Sequence, residues 1–485
     1  MGAPVKLIPT MASKLLSEFL GTYLLIMAVG LNVSGGNPFG VTAIAFTLMV
    51  SIYALGDVSG ANFNPAVSLA LALSKKLPVL DMLAYWGVQL LAGVVAATSF
   101  KFLVMEDPHE VALKSHESLM QPVLAEVLFT CMLCLVVLNV AATERNTPNQ
   151  HYGLAIGLAI IGGGYAAGPV SQGVLNPAVA VGLAMPLAGP VSAAPKTGQL
   201  LICGEFLGAA LAAAIYRVLR PDEFDKHAAI GAAEKLTAEF VGTFYLVLTV
   251  ALNVMGGNAF AAWSIAASLA CMVYCMASVS GAHLNPAVTL SLIVRGASDP
   301  SDATYIASQL LGGVFGAAVG VGLLPGKDLA LGVGPHYKLQ HACCAELLFT
   351  FVLVFVVLNI ATVDGKKLGD FAGLSVGSCV TAGGFAVGRI SGASLNPAVS
   401  VGLTIAGYMT KAPEHLLMIC AAYVVVELVA GVLAAGVFKA ARMQEEGQSP
   451  EPQGDEEERQ ALLKDEKEEL KGGKEELKRG KEETV

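Results

Sequence analysis

The chain has 485 residues, of which 55% are hydrophobic and 14% are charged, and its formal net charge is −9 at pH 7. So apolar a composition excludes an ordinary soluble protein and indicates an integral membrane protein. Residues 443–485 hold 15 acidic and 8 basic side chains, so this segment carries most of the net charge. The rest of the chain is nearly neutral.

Apolar stretches of membrane-spanning length recur along the chain. Residues 15–33, 83–104, 123–142 and 200–218 are the first clear examples, and later stretches repeat them. Because a spanning helix needs about 20 mostly apolar residues, each stretch predicts one crossing. Shorter apolar segments, interrupted by Gly and Pro, lie between them. The predicted fold class is therefore an all-α membrane protein.

A short motif occurs four times and reveals an internal repeat. The copies are Asn64-Pro65-Ala66, Asn176-Pro177-Ala178, Asn285-Pro286-Ala287 and Asn396-Pro397-Ala398. The first and third copies are 221 residues apart and the second and fourth are 220 apart, which indicates duplication of a whole domain. Within each domain the copies are 112 and 111 residues apart, which indicates an older half-repeat.

A second set of residues follows the same two periods. Its members are Glu18, Glu126, Glu239 and Glu346, each near the start of a long apolar helix, with an Asn 13 or 14 residues later. The repeat predicts a short N-terminal segment (1–11), a first domain (12–220), a linker (221–233), a second domain (234–440) and a tail (441–485). The charged tail is predicted to be disordered.

The repeat also predicts the topology in the membrane. Each half-repeat contains three spanning helices, an odd number, so its second copy must insert upside down. Six spans then return the chain to its starting side in each domain. Lys and Arg are more frequent on the side of the N-terminus, which predicts that both termini are cytoplasmic. The sequence does not distinguish a plasma membrane from a vacuolar or other intracellular one.

The Asn-Pro-Ala motif has the chemistry of a helix start. Asn is a good N-cap, and Pro is favoured at the first helical position. The helices that would follow, 65–73 and 177–185, are about half the length needed to cross, so they must end inside the bilayer. Two such half-helices meeting at their N-termini would place two positive dipole ends and two amide donors at one point of a polar interior. Such a point would disfavour cations and protons.

The residues around these motifs show a resemblance to a known family. Ser59-Gly60-Ala61, Ser280-Gly281-Ala282 and Ser391-Gly392-Ala393 precede three of the motifs, and Glu18-Phe19-Leu20-Gly21-Thr22 lies on the first helix. Over residues 12–440 the chain resembles the major intrinsic protein (aquaporin and aquaglyceroporin) family twice in tandem. The resemblance implies a right-handed bundle of six helices and two re-entrant half-helices per domain, with one pore in each. It also implies assembly as four pores, here a dimer of fused chains.

The same resemblance implies roles for individual residues. The repeated glutamates would brace the re-entrant loops by accepting backbone hydrogen bonds, whereas Glu205 and Glu427 are unusual for the family. Four residues of each domain map to the selectivity constriction: Ile44, Gly164, Gly173 and Val179 in the first, and Ile265, Gly384, Ala393 and Val399 in the second. Water-selective members usually carry an aromatic residue, a His and an Arg there. Their absence predicts wider openings that pass small uncharged solutes such as glycerol, urea, ammonia or hydrogen peroxide beside water.

Several alternatives remain at the level of the sequence. A secondary transporter also has about twelve spans in two halves, and a structural membrane protein could keep the fold without conducting. No nucleophile and base pair or metal-spaced cluster indicates an enzyme, a cofactor or a metal site, and no nucleic-acid partner is indicated. His151 is a candidate pH gate. Arg389 is a candidate replacement for the missing arginine of the second pore, although a solvated loop cation is the simpler interpretation.

Overall fold

The computed structural model describes residues 9–104, 118–184, 194–329, 331–363, 369–410 and 415–442. These residues form helices and connecting loops without a strand, and twelve of the helices are long and apolar enough to cross a membrane. The protein is therefore an all-α, multi-pass integral membrane protein. The predicted tail beyond Arg442, the first eight residues and Met185 lie outside the described residues.

The helices of the first half of the chain alternate long and short elements. They are α1 (Met11–Ser34), α2 (Gly40–Ser59), α3 (Pro65–Leu73), α4 (Val79–Leu103), α5 (Met120–Val137), α6 (Tyr152–Ser171), α7 (Pro177–Ala184) and α8 (Ala194–Leu219). A π-helical turn, Leu138–Ala142, extends α5. The short helices α3 and α7 begin at the Pro of a motif.

The second half of the chain repeats this order. Its helices are α9 (Ala232–Gly256), α10 (Ala261–Ser280), α11 (Pro286–Arg295), α12 (Tyr305–Leu323), α13 (Leu339–Ala361), α14 (Ala372–Ser391), α15 (Pro397–Met409) and α16 (Leu416–Arg442). The fold is thus a tandem duplication in which each copy has six long helices and two half-helices. The described residues through Gly436 form one compact unit, and a second unit begins at Val437.

The two copies pack against each other mainly through four helices. In the membrane-spanning segments of α5, α6, α9 and α10, 72 to 83% of the residues are buried inside the protein. In the other eight spanning helices the buried share is 28 to 44%. At this junction the Ser264 hydroxyl donates to the Gly162 carbonyl at 3.0 Å, and the Trp263 indole donates to the Thr42 hydroxyl at 3.2 Å. Close contact of small residues and hydrogen bonds between helices stabilise such interfaces in a membrane.

The start of the segment that joins the two copies is packed against both of them. Arg220, at the end of α8, is fully buried. Its guanidinium donates to Asn139 Oδ1 of the first copy at 3.2 Å and to the hydroxyl of Ser278 in the second copy. Glu223 pairs with Lys76, which follows the half-helix α3. Arg220, directly before the predicted linker, therefore contacts both copies, and Glu223 of the linker contacts the first.

Two candidate pores lined by paired asparagines

Each copy contains a large cavity that both of its motif asparagines line. The first cavity, pore 1, has a volume of about 600 Å³ and is lined by Asn64 and Asn176 among others. The second, pore 2, has a volume of about 720 Å³ and is lined by Asn285 and Asn396. We call the side of the bundle at which α1 begins the N-side, and the opposite side the far side.

The motif asparagines cap the half-helices and join the two re-entrant loops. In pore 1, Oδ1 of Asn64 accepts from the Ala66 amide at 2.8 Å, as an N-cap does. Its Nδ2 donates to the Leu175 carbonyl at 2.8 Å, while Asn176 Nδ2 donates to the Phe63 carbonyl at 3.0 Å. Since an amide nitrogen carries two hydrogens, each asparagine keeps one N–H for the cavity.

Pore 2 repeats this arrangement almost without change. Asn285 Nδ2 donates to the Leu395 carbonyl and Asn396 Nδ2 to the Leu284 carbonyl, both at 2.9 Å. Each asparagine also caps its half-helix through Oδ1. Both cavities therefore have a pair of amide donors at the facing N-termini of two half-helices, where the helix dipoles make the potential positive.

All eight constriction residues mapped from the sequence line the cavities. Ile44, Gly164, Gly173 and Val179 line pore 1, and Ile265, Gly384, Ala393 and Val399 line pore 2. In pore 1 the two glycines lie together, since a Cβ built on Gly173 would be 3.1 Å from the Gly164 Cα. Arg389 is exposed and does not line the second cavity, and no other arginine of the described residues lines it.

The repeated glutamates are fully buried and accept hydrogen bonds from the re-entrant loops. Glu18 accepts from the Asn62 and Phe63 amides at 2.9 and 2.8 Å, and Glu126 accepts from the Val174 and Leu175 amides at 2.9 and 2.7 Å. In the second copy, Glu239 and Glu346 accept the corresponding bonds. Backbone amides without helical partners are thus satisfied inside the bilayer.

The structure gives Glu205 and Glu427 a function that the sequence did not reveal. Glu205 Oε1 accepts from the backbone amide of Asn176 at 2.9 Å, and Glu427 Oε1 accepts from that of Asn396 at 3.2 Å. In the other half of each copy, Gln89 and Gln309 donate to Glu18 and Glu239. The last helix of each copy therefore holds the second motif of its pore.

His151 lies at the junction of the two copies on the N-side. Its Nδ1 is 2.7 Å from Asp370 Oδ1, and its ring stacks on Tyr274 with centroids 4.5 Å apart. Tyr274 in turn donates to the Asp370 carbonyl and accepts from the Leu374 amide. His151 thus has a structural partner in the second copy, while its predicted gating role remains a prediction.

Comparison with known proteins agrees with these features. The sequence profile described as "Major intrinsic protein" matches residues 8–216, 152–260 and 251–438. A probable aquaporin NIP4-2 of Arabidopsis thaliana is 30% identical over 219 residues, which are 43% of this chain and 75% of that protein. Aquaporin NIP1-3 of Oryza sativa is 36% identical over 36% of this chain and 64% of its own length. The solved aquaglyceroporin of Plasmodium falciparum is 24% identical over 43% of this chain and 94% of that chain, with a TM-score of 0.38.

Proposed function

Because the chain belongs to the major intrinsic protein family, and is thus a membrane channel for water and small solutes, we propose that it has two pores for small uncharged solutes. Glycerol, urea, ammonia and hydrogen peroxide are the solutes of suitable size. The observation that carries this proposal is the presence in each copy of a cavity with paired motif asparagines.

Exclusion of ions and protons would take place at the asparagines. A neutral solute oxygen can accept hydrogen bonds from the two free amide N–H groups, such as those of Asn64 and Asn176. At the level of the asparagines a cation meets the positive ends of α3 and α7, where no carboxylate lines the cavity, so it loses hydration without gaining a negative partner there. The carboxylate that does line pore 1, Asp57, is exposed near the N-side end of α2. The same reasoning applies to pore 2.

Passage of solutes larger than water is supported by the constrictions. Their side chains are Ile, Val, Gly and Ala, which leave no fixed charge and no aromatic ring at this level. Proteoliposomes containing the full chain are expected to swell in isosmotic urea or glycerol. Normal water flux without any solute flux would contradict the proposed solute class.

We further propose that two chains assemble as four pores. Inside one chain, α9 and α10 pack on α5 and α6. The equivalent helices that do not meet within the chain are α1 and α2 of the first copy and α13 and α14 of the second. Only 28 to 44% of the residues in their spanning segments are buried. Phe385 is 60% exposed although its counterpart Tyr165 is 7% exposed, and Val50 is 56% exposed whereas its counterpart Cys271 is buried. Repeating the internal packing with a second copy would cover both faces and close a ring.

The mass of the purified protein in detergent tests this assembly. Light scattering is expected to give twice the chain mass of 49.9 kDa after subtraction of detergent. Phe385→Ala should shift the population toward single chains, whereas Phe315→Ala, on the 55% exposed Phe315 of α12, is the matched control and should not. A single-chain mass for the unaltered protein would contradict the proposal.

We also propose that the N-side faces the cytoplasm. Lys75, Lys76, Arg217 and Arg220 lie in or beside the connections on this side, as the bias of basic residues toward cytoplasmic loops requires.

The domain boundaries at residues 12–220 and 234–440 are likewise proposed. They lie within one or two residues of the start of α1, the end of α8, the start of α9 and the end of α16.

A further inference from the structure

We propose that Gln172 is a specificity-determining residue of pore 1, which donates a hydrogen bond to the oxygen of a passing solute. Gln172 directly precedes the constriction residue Gly173 and lines the cavity with it. The inference rests on the proposed function, since it requires that pore 1 conducts solutes. It makes the two pores of the chain unequal in selectivity.

The first observation is the backbone conformation of this residue. Gln172 ends α6 with φ of +74°, in the left-handed region. The equivalent positions in the other three loops are Gly60, Gly281 and Gly392, with φ of +86°, +90° and +87°. Left-handed backbone disfavours any residue with a Cβ, and glycine is its usual occupant. The other non-glycine residues with left-handed backbone in the re-entrant loops that lead into the motifs, such as Ala61 and Leu175, are apolar, so Gln172 is the one that brings a polar side chain to such a position.

The second observation is the state of its amide. Gln172 Nε2 is buried and has no hydrogen-bond acceptor within the part of the chain that the structure describes. A buried amide donor without an acceptor is costly, and such groups in native proteins are nearly always satisfied. The accessible surface of Nε2 is close to zero, whereas the residue as a whole is only partly buried and lines the cavity, so rotation of the amide about the last side-chain bond is needed to turn an N–H group toward it. A carbonyl or hydroxyl oxygen of a solute, or of water, can then supply the acceptor.

The third observation is what occupies the same position in pore 2. There the residue is Gly392, and Leu331 from the connection between α12 and α13 fills the space next to it. A Cβ built on Gly392 would be 2.6 Å from Leu331 Cδ1, and Leu331 is itself buried and lines the cavity. Pore 2 therefore has an apolar side chain where pore 1 has an amide. Solutes that are strong hydrogen-bond acceptors, such as urea, should be favoured in pore 1.

The test uses the full chain in proteoliposomes with pore 2 narrowed by Ile265→Trp at its constriction. In this background Gln172→Met keeps the length of the side chain but removes the amide. We expect it to lower urea permeability about fivefold, which equals about 1 kcal/mol, the usual net value of a neutral hydrogen bond. Water permeability in the same vesicles should change less than about twofold, because water molecules in file also bond to one another. Gln172→Gly should lower urea permeability as well.

The outcomes separate the possible roles of the side chain. Unchanged urea permeability in Gln172→Met, or increased permeability in Gln172→Gly, would assign Gln172 a steric role and overturn the proposal. A background without any urea flux, while the unaltered chain conducts urea, would contradict both this inference and the proposal that pore 1 conducts solutes. Urea flux that does not respond to either substitution would overturn this inference alone.

A reciprocal variant keeps the proposal testable if the changes at Gln172 prevent folding. With pore 1 narrowed by Ile44→Trp, Leu331→Ala makes room beside Gly392, and Gly392→Gln then introduces the amide into pore 2. In this Ile44→Trp background, urea permeability with both Leu331→Ala and Gly392→Gln should exceed that with Leu331→Ala alone about fivefold. Equal permeability of the two variants would contradict the proposal.

Discussion

Replacing Val179 and Val399 together by arginine is expected to lower urea and glycerol permeability about tenfold or more, with a smaller loss of water permeability. Both valines line their cavities at the predicted constriction. In pore 1 the opposing residues Gly164 and Gly173 have no side chains that could change rotamer to make room for the arginine. A guanidinium would add bulk, a fixed charge and five donors to an apolar opening. Stopped-flow swelling of vesicles measures both fluxes.

A matched pair of methionines separates size from charge in this experiment. Val179→Met with Val399→Met adds an unbranched side chain, shorter than that of arginine, without the charge or the donors. We expect it to reduce glycerol flux less than the arginine pair does. Unchanged solute flux in the arginine variant, with folded protein in the vesicles, would show that the constriction does not lie at these residues.

Glu126→Gln is expected to destabilise the protein strongly, by about 3 kcal/mol or more, whereas Glu205→Gln should cost less than about 1 kcal/mol. Glu126 accepts from the Ser171 hydroxyl at 2.6 Å as well as from two backbone amides, so it needs acceptors on both oxygens. A glutamine at this position has only one acceptor oxygen, so its NH2 group would face at least one of the N–H or O–H donors that now bind Glu126.

Glu205 is in a different situation on the neighbouring helix. It accepts only from the Asn176 amide, and its Oε2 has no partner among the described residues. An amide can therefore replace its carboxyl group, as Gln89 does beside Glu18 in the other half of the domain. Thermal unfolding in detergent, followed by size-exclusion chromatography, should show a much lower melting temperature for Glu126→Gln. Equal melting temperatures of the two variants would contradict this account.

The half-helices could be predicted closely from the sequence because the signals for them are local. Asn as N-cap and Pro at the first helical position define the start of α3 and α7 within one motif. The predicted segment 65–73 coincides with α3, and the described part of 177–185 coincides with α7, which ends at Ala184. The repeat spacing then gave the number and order of the long helices, because every copy follows the same pattern.

The packing of the two copies could not be predicted in the same way. All repeats carry similar apolar helices, so hydrophobicity does not show which faces meet within one chain and which remain exposed. The burial of Arg220 between Asn139 and Ser278 depends on contacts between residues 58 and 81 positions apart. A basic residue next to a polar linker gives no local sign of such a position.

Glu205 and Gln172 illustrate two further limits. Glu205 is 29 residues from Asn176, so only the packing of α8 against the loop reveals its contact. The position of Gln172 is visible in the sequence, because Ser-Gly-Ala precedes three of the motifs and Ser-Gln-Gly precedes the second. Its meaning depends on the left-handed backbone and on Leu331 in pore 2, which the sequence alone does not connect.

The central claim, that one chain contains two separate solute pores, can be tested by narrowing them one at a time. Urea-driven swelling is measured for the unaltered chain, for Ile44→Trp, for Ile265→Trp and for the double variant, at equal amounts of folded protein. Each single variant should keep part of the urea flux, and the double variant should lose nearly all of it. Complete loss of urea flux in either single variant, or full flux in the double variant, would contradict the presence of two independent pores.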